Sequence, residues 1–238
     1  MTSSTGKTAL VTGATRGIGR AIAEILRGRG DRVIATGTKP EGTPPEGCAY
    51  EAADFADPAS LTAFAKKLGG MKIDILINNA GINDPTPFSE IDPAVFDRIQ
   101  HVNVHAPFHL IRAVLPHMRE QGWGRIVNIS SIWGIKSRAG RGAYSTSKFA
   151  IDGMTAALAA EVAKDGILAN CVAPGFIDTE LTRRVLGEKG IADVLTRVPI
   201  GRLGKPEEIA RFAAWLAGPE NSYISGQNIA IDGGFTRA

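Results

Sequence analysis

The sequence predicts one doubly wound α/β domain, with about seven parallel strands and helices on both faces. Three observations carry that expectation. Apolar strand-like runs and helical patterns alternate from end to end, which is the order of a parallel sheet built by helical crossovers. A glycine-rich turn, TGATRGIG at 12–19, joins the first strand run to the first helical run. No internal repeat and no linker divides the 238 residues, so residues 1–238 are expected to form a single unit.

The elements follow in order. TALV is the first strand candidate and 18–28 the helix after it; RVIAT is the second strand. GTKPEGTPPEGC comes next and carries Pro40, Pro44 and Pro45, each costing about 3 kcal/mol inside a helix, so this crossover is expected to be a loop. CAYEA, a helix over 59–67 and the buried-looking strand IDILIN follow, then a long helix from Pro93 to Gln121, the strand RIVNI and a helix from Ala143 onward. ILANCVA and NIAI are the last two strands, and each crossover is expected to be right-handed.

Composition narrows the class. A 44 % hydrophobic fraction and a net charge of +3 describe an ordinary globular chain and give no argument for nucleic acid. No run approaches the roughly 20 apolar residues of a membrane span, and MTSSTGKT lacks the apolar core of a signal peptide, so no membrane partner and a cytoplasmic location are expected. Cys48 and Cys171 have no C-x-x-C spacing, and Cys171 reads as a small buried hydrophobe. His101, His105 and His109 repeat every four residues as any helix face would, without a carboxylate motif, so no metal is expected.

Two stretches carry chemistry. Gly13, Gly17 and Gly19 would let backbone approach a pyrophosphate at the positive N-terminus of the following helix, although G-x-x-x-G-x-G differs from the G-x-G-x-x-G fingerprint. In SSIWGIKSRAGRGAYSTSK, Tyr144 and Lys148 fall on one helix face, about 5 to 6 Å apart. A nearby ammonium lowers the pKa of a phenol, so Lys148 is expected to make Tyr144 a working proton donor.

Five blocks in this order, TGATRGIG, NNAG at 78–81, Asn103, Ser131 with Tyr144 and Lys148, and Pro174-Gly175 followed by Thr179, resemble the short-chain dehydrogenase/reductase family. The resemblance runs from Lys7 to Phe235 and is nearest to bacterial 3-oxoacyl-(acyl carrier protein) reductases and related carbonyl reductases. It implies a Rossmann-type fold and hydride transfer between a nicotinamide and a ketone or secondary alcohol. Tyr144 would protonate the alkoxide, Ser131 (not Ser130) orient the carbonyl, Lys148 bind the nicotinamide ribose, and Asn103 kink its helix and hold a water of the proton relay.

For the cofactor, the resemblance implies Thr15, Arg16 and Ile18 beside the three loop glycines, then Asn79, Ala80 and Gly81, then Tyr144 and Lys148. Pro174, Gly175, Ile177 and Thr179 would meet the nicotinamide end, and Asp54 the adenine. After RVIAT, NAD-selective folds place a carboxylate; Thr38 and Lys39 stand nearby instead and suit a 2′-phosphate, favouring NADP(H) over NAD(H). Residues 178–200 resemble a substrate lid, partly basic through Arg183, Arg184 and Arg197, and the tail resembles part of a homotetramer interface. Lys136, Arg138 and Arg141 would lie at the substrate mouth, as attractors of an anion or as a solvated loop. The substrate implied is a 3-oxoacyl thioester, with a sugar, polyol or small ketone as the alternative. A non-catalytic nucleotide-binding protein would show damage among Asn103, Ser131, Tyr144 and Lys148, and all four are present.

Overall fold

The structure, a computed structural model, describes residues 6–238. Met1–Thr5, the larger part of the N-terminal stretch considered above, lie outside the described residues.

Seven strands form one wholly parallel sheet in the order β3-β2-β1-β4-β5-β6-β7. They are β1 (Thr8–Val11), β2 (Arg32–Gly37), β3 (Ala49–Ala52), β4 (Ile75–Asn78), β5 (Gly124–Ile129), β6 (Ile167–Pro174) and β7 (Asn228–Ile231). The centre is apolar because both sheet faces are covered. Ala9 and Val11 of β1 point to one core with Ile75 and Ile77, under α1 (Gly17–Gly28) and α7 (Pro206–Leu216). Leu10 points the other way with Leu76 and Ile126, under α2 (Pro58–Leu68), α4 (Ala106–Gln121) and α5 (Gly142–Val162). Strand order reverses between β1 and β4, which opens a crevice at the carboxyl ends of the strands.

The long helix expected over 93–121 is divided. α3 (Pro93–Gln100) passes through a π-helical turn, His101–His105, into α4, so the helix widens at Asn103. The proline-bearing segment after β2 is a loop, as expected, and it folds over Tyr50, whose hydroxyl donates to the Lys39 carbonyl. α7 went unpredicted, although Pro206 in its first turn, Glu207 and Glu208 behind it, and Ile209, Ala210, Ala213 and Ala214 at helical spacing all announce it. Residues 178–200 contain α6 (Glu180–Leu195), broken at Gly187, where φ is 61°. Among the described residues no helix is long and apolar enough to cross a membrane.

Candidate active site

The loop after β1 rests on its neighbours through two threonines. The Gly13 and Ala14 amides donate to the Thr36 hydroxyl (3.2 Å) and carbonyl (2.9 Å), while the Thr12 hydroxyl accepts from the amides of Asn79 and Ala80, both at 2.9 Å. The Asn79 side chain closes the junction by donating to the carbonyls of Thr12 and Gly13. Neither Thr12 nor Thr36 was singled out in the sequence, where Thr12 reads as the first residue of the glycine-rich turn and Thr36 as a strand residue.

This cradle fits a dinucleotide pyrophosphate. Gly13 and Gly17 hold φ of 62° and 56°, which turn the loop around the start of α1. α1 itself has no side-chain cap and no acidic residue in its first turn, so its amides are open to an anion. Thr15 and Ile18 are half-buried at the loop, and Thr179 borders it: a Cβ added at Gly17 would lie 3.7 Å from Thr179 Cγ2. Thr179 also caps α6, accepting from the Thr182 amide at 3.2 Å. Pro174 ends β6, the Gly175 amide donates to the Ile231 carbonyl, and the Ile177 side chain is committed to the core.

Two cofactor residues are placed less simply. Arg16 pairs with Glu180 at 3.4 Å, yet both side chains are about 70 % exposed, so the pair is weak and Arg16 can be drawn elsewhere. Asp54 is exposed and its carboxylate accepts from the Ala56 amide, which makes it a turn residue in this structure; the cap of α2 is Asp57. Thr38 and Lys39 are exposed at the end of β2, next to the cradle.

Ser131, Tyr144, Lys148 and Asn103 come together behind the cradle. Ser131 ends the β5 connection and caps a 3-10 turn, Ile132–Gly134, accepting from the Trp133 amide at 3.2 Å. That turn packs against α5 because Gly134 has no side chain: a Cβ there would sit 2.6 Å from the Lys148 carbonyl oxygen. Ser130 points away and hydrogen-bonds the Lys148 carbonyl, so the hydroxyl that meets Tyr144 belongs to Ser131. Asn103 uses both ends of its amide on Ile82, accepting from its N–H and donating to its C=O at 2.9 Å each, and also donates to Ser147 Oγ. It therefore ties the loop after β4 to α5, where a bond back to its own helix was the plainer alternative. A Cβ at Gly81 would stand 3.4 Å from Asn103 Oδ1 and 3.7 Å from Lys148 Nζ, so these groups border one space.

One electrostatic expectation is corrected. Tyr144 is not acidified by Lys148: burial pushes its phenol up, and the groups that oppose this are the Ser131 hydroxyl and Arg141. Lys148 Nζ lies 5.5 Å from the Tyr144 ring centre and donates to the Ile129 carbonyl at 2.8 Å. Burial also pulls the Lys148 ammonium down to about 8. Its direct reach is into the crevice and the strand end, with the phenol beyond.

The relatives decide the family. The family model described as enoyl-(acyl carrier protein) reductase matches residues 13–236. The 3-oxoacyl-(acyl carrier protein) reductase FabG of Vibrio cholerae is 40 % identical over 96 % of this chain and 97 % of its own. The chain belongs to the short-chain dehydrogenase/reductase family. A putative NAD(P)-dependent gluconate 5-dehydrogenase from Beutenbergia cavernae with bound NADP superposes with a TM-score of 0.92, at 34 % identity and 99 % coverage of both chains. A gluconate 5-dehydrogenase from Burkholderia cenocepacia in complex with NADP and tartrate gives 0.90, at 30 % identity over 98 % of this chain and 96 % of that one.

In this short-chain dehydrogenase/reductase an aromatic trio packs beside Tyr144. Trp133, Phe176 and Phe235 meet edge to face, with ring centres 5.1 to 6.1 Å apart, and Tyr144 packs against them. Trp133 is thus a packing residue. Arg183 and Arg197, expected to make 178–200 basic, are each held by a neighbouring carboxylate, Asp178 and Asp193. Lys136 and Arg138 have no such partner among the described residues and lie over the rings of Phe235 and Trp133.

Proposed function

We propose that this protein is an NADP(H)-dependent reductase of 3-oxoacyl groups, interconverting a ketone and its secondary alcohol. The observation that carries the reading is the gathering of Ser131, Tyr144, Lys148 and Asn103 around one space behind a phosphate-fitting cradle. The 40 % identity to a 3-oxoacyl-(acyl carrier protein) reductase supports the substrate class. Bound NADP in structural neighbours, and Thr38 and Lys39 in place of a carboxylate, support the cofactor.

When bound, the dinucleotide supplies a hydride to the carbonyl carbon. Tyr144 holds a proton on its hydroxyl and delivers it to the carbonyl oxygen; burial, by raising the phenol pKa, keeps that proton in place until a more basic oxygen forms. Ser131 donates a hydrogen bond to the same oxygen and sets its direction. Lys148, still largely protonated at neutral pH, holds the ribose, while the Ser131 hydroxyl and Arg141 favour the phenolate left behind. Asn103 fixes the loop after β4 against α5 so that these distances are kept. Segment 178–200 closes over the crevice as a lid hinged at Gly187. Exposed Phe108 on α4 and Phe149 on α5 support association of copies, which we extend to a cytoplasmic homotetramer.

A second reading, dehydrogenation of a carboxylate-bearing polyol, is favoured by one feature. At the end of α5, where a reductase serving an acidic carrier protein would present free cations, Arg119 is bound by both Glu161 and Asp165. Assay of NADPH and NADH oxidation with a short 3-oxoacyl thioester, beside NADP reduction with gluconate, separates the two. Turnover of the thioester with NADPH supports the main reading, and turnover of gluconate alone replaces it with the second.

A further inference from the structure

Two arginines are buried to the same 5 % exposure and are satisfied quite differently. Arg125 spreads its guanidinium over the backbone carbonyls of Gly124, Gly166, Gly218 and Asn221. Arg141 makes no ion pair and no side-chain hydrogen bond among the described residues; its guanidinium carbon lies 5.8 Å from the centre of the Trp133 ring. A cation–π contact of that kind returns less than the burial of a guanidinium costs. The charged or titratable groups acting on Arg141 are another cation, Arg138, and the Tyr144 hydroxyl, with no carboxylate among them. An unpaired fork of donors therefore stands beside the proton donor of the site.

Its position compounds the imbalance. Arg141 directly precedes α5, a 21-residue helix whose N-terminus has no side-chain cap and no acidic residue in its first turn, so a positive side chain is added to a positive helix end. Beyond Trp133 opens a cleft of about 400 Å³, whose lining includes Lys136, Arg138, Arg197 and Phe235. Arg197 is committed to Asp193, but Lys136 and Arg138 are not paired among the described residues and add to the positive field at the mouth.

We propose that Arg141 binds a carboxylate of the substrate, so that the site takes small oxo-acids and the matching hydroxy-acids, with the carboxylate a few bonds from the carbonyl served by Tyr144. This rests on the ketone–alcohol chemistry proposed above and, for the substrate, sides with the carboxylate-bearing second reading against a neutral thioester. A planar guanidinium backed by an indole presents two parallel donors to a carboxylate, a geometry that an ammonium does not reproduce. A neutral ester or thioester of the same skeleton would displace water from the fork without pairing it, and that penalty, more than the fit of the chain, would set specificity.

The test compares acetoacetate with methyl acetoacetate, which share the reacting carbonyl and differ in charge. Calorimetric binding of each to the NADPH complex probes Arg141 without requiring turnover, and NADPH oxidation in parallel probes the reductase reading. The wild type should bind the acid about 10- to 100-fold more tightly than the ester, the range expected of hydrogen bonds to a charged group. Arg141→Gln should remove that preference, weakening binding of the acid and raising its KM far more than that of the ester, and Arg141→Lys should restore part of it. Equal binding of acid and ester by the wild type, no binding of the acid, or an equal loss of both in Arg141→Gln would overturn the proposal. Acid binding that depends on Arg141, with no oxidation of NADPH by either compound, would uphold the carboxylate site and remove the reductase reading instead. The wild-type comparison stands even where Arg141→Gln does not fold.

Discussion

Replacing Lys148 by methionine should make the protein more stable at neutral pH. Lys148 is 5 % exposed and burial lowers its ammonium from the ordinary 10.5 to about 8. At about 1.4 kcal/mol per pH unit, holding that charge in the fold costs roughly 3 kcal/mol below pH 8. Between pH 8 and 10.5 the unfolded chain keeps the proton and the folded one releases it, so the unfolded state binds more protons and stability rises with pH. Cys171 acts in the opposite sense: burial pushes its thiol from 9 up to about 12, so above pH 9 the unfolded chain binds fewer protons and stability falls. The window that isolates Lys148 is therefore pH 8 to 9, where the wild type should gain about 1 kcal/mol. Urea unfolding at fixed protein concentration reads this directly. Lys148→Met should gain about 2 to 3 kcal/mol at pH 7 and lose the rise between pH 8 and 9. A flat wild-type profile together with a less stable methionine variant would refute the reasoning, because it would mean that the ammonium is well compensated in the folded protein.

Three further outcomes follow from particular contacts. Asn103→Ala leaves Ile82 and Ser147 without their partners and should cost about 2 to 4 kcal/mol by urea unfolding, with weaker NADPH binding as the 79–82 loop loosens. Gly134→Ala places a Cβ 2.6 Å from the Lys148 carbonyl oxygen and should push Ser131 off Tyr144, lowering kcat by about tenfold or more while far-UV circular dichroism stays native. Lys39→Glu sets a carboxylate against a 2′-phosphate and should shift the ratio of NADPH to NADH affinity by about tenfold or more toward NADH; an unchanged ratio would remove Lys39 from cofactor choice.

The sheet was readable in the sequence because strands covered on both faces must be apolar and because the crossovers repeat one pattern; TALV, RIVNI and NIAI all fall on observed strands. α7 was missed because it follows α6 with no strand between them, so no strand run flags it. Of the four residues around the crevice, Tyr144 and Lys148 were found through their spacing along the chain, and Ser131 and Asn103 through the family resemblance. What spacing cannot carry is direction. A four-residue separation places Lys148 near Tyr144 but leaves its ammonium free to turn to Ile129, while Arg141, three residues before Tyr144, is the cation that acts on the phenol. The same limit hid Arg16–Glu180 and Arg183–Asp178, whose pairing depends on where α6 begins. Thr12 and Thr36 escaped for another reason: a threonine at or near a strand end carries no signal of its own until the loop that leans on its hydroxyl is in place.

The central claim is that Tyr144 delivers the proton while the rest of the crevice holds cofactor and carbonyl. Its most direct test is single-turnover oxidation of bound NADPH by a short 3-oxoacyl thioester, in the wild type and in Tyr144→Phe. Phenylalanine keeps the packing against Trp133, Phe176 and Phe235 and removes only the hydroxyl. The variant should bind NADPH as the wild type does and oxidise it about 10²- to 10⁴-fold more slowly, the usual share of general acid catalysis. Oxidation at the wild-type rate would contradict the account and move the proton donor elsewhere.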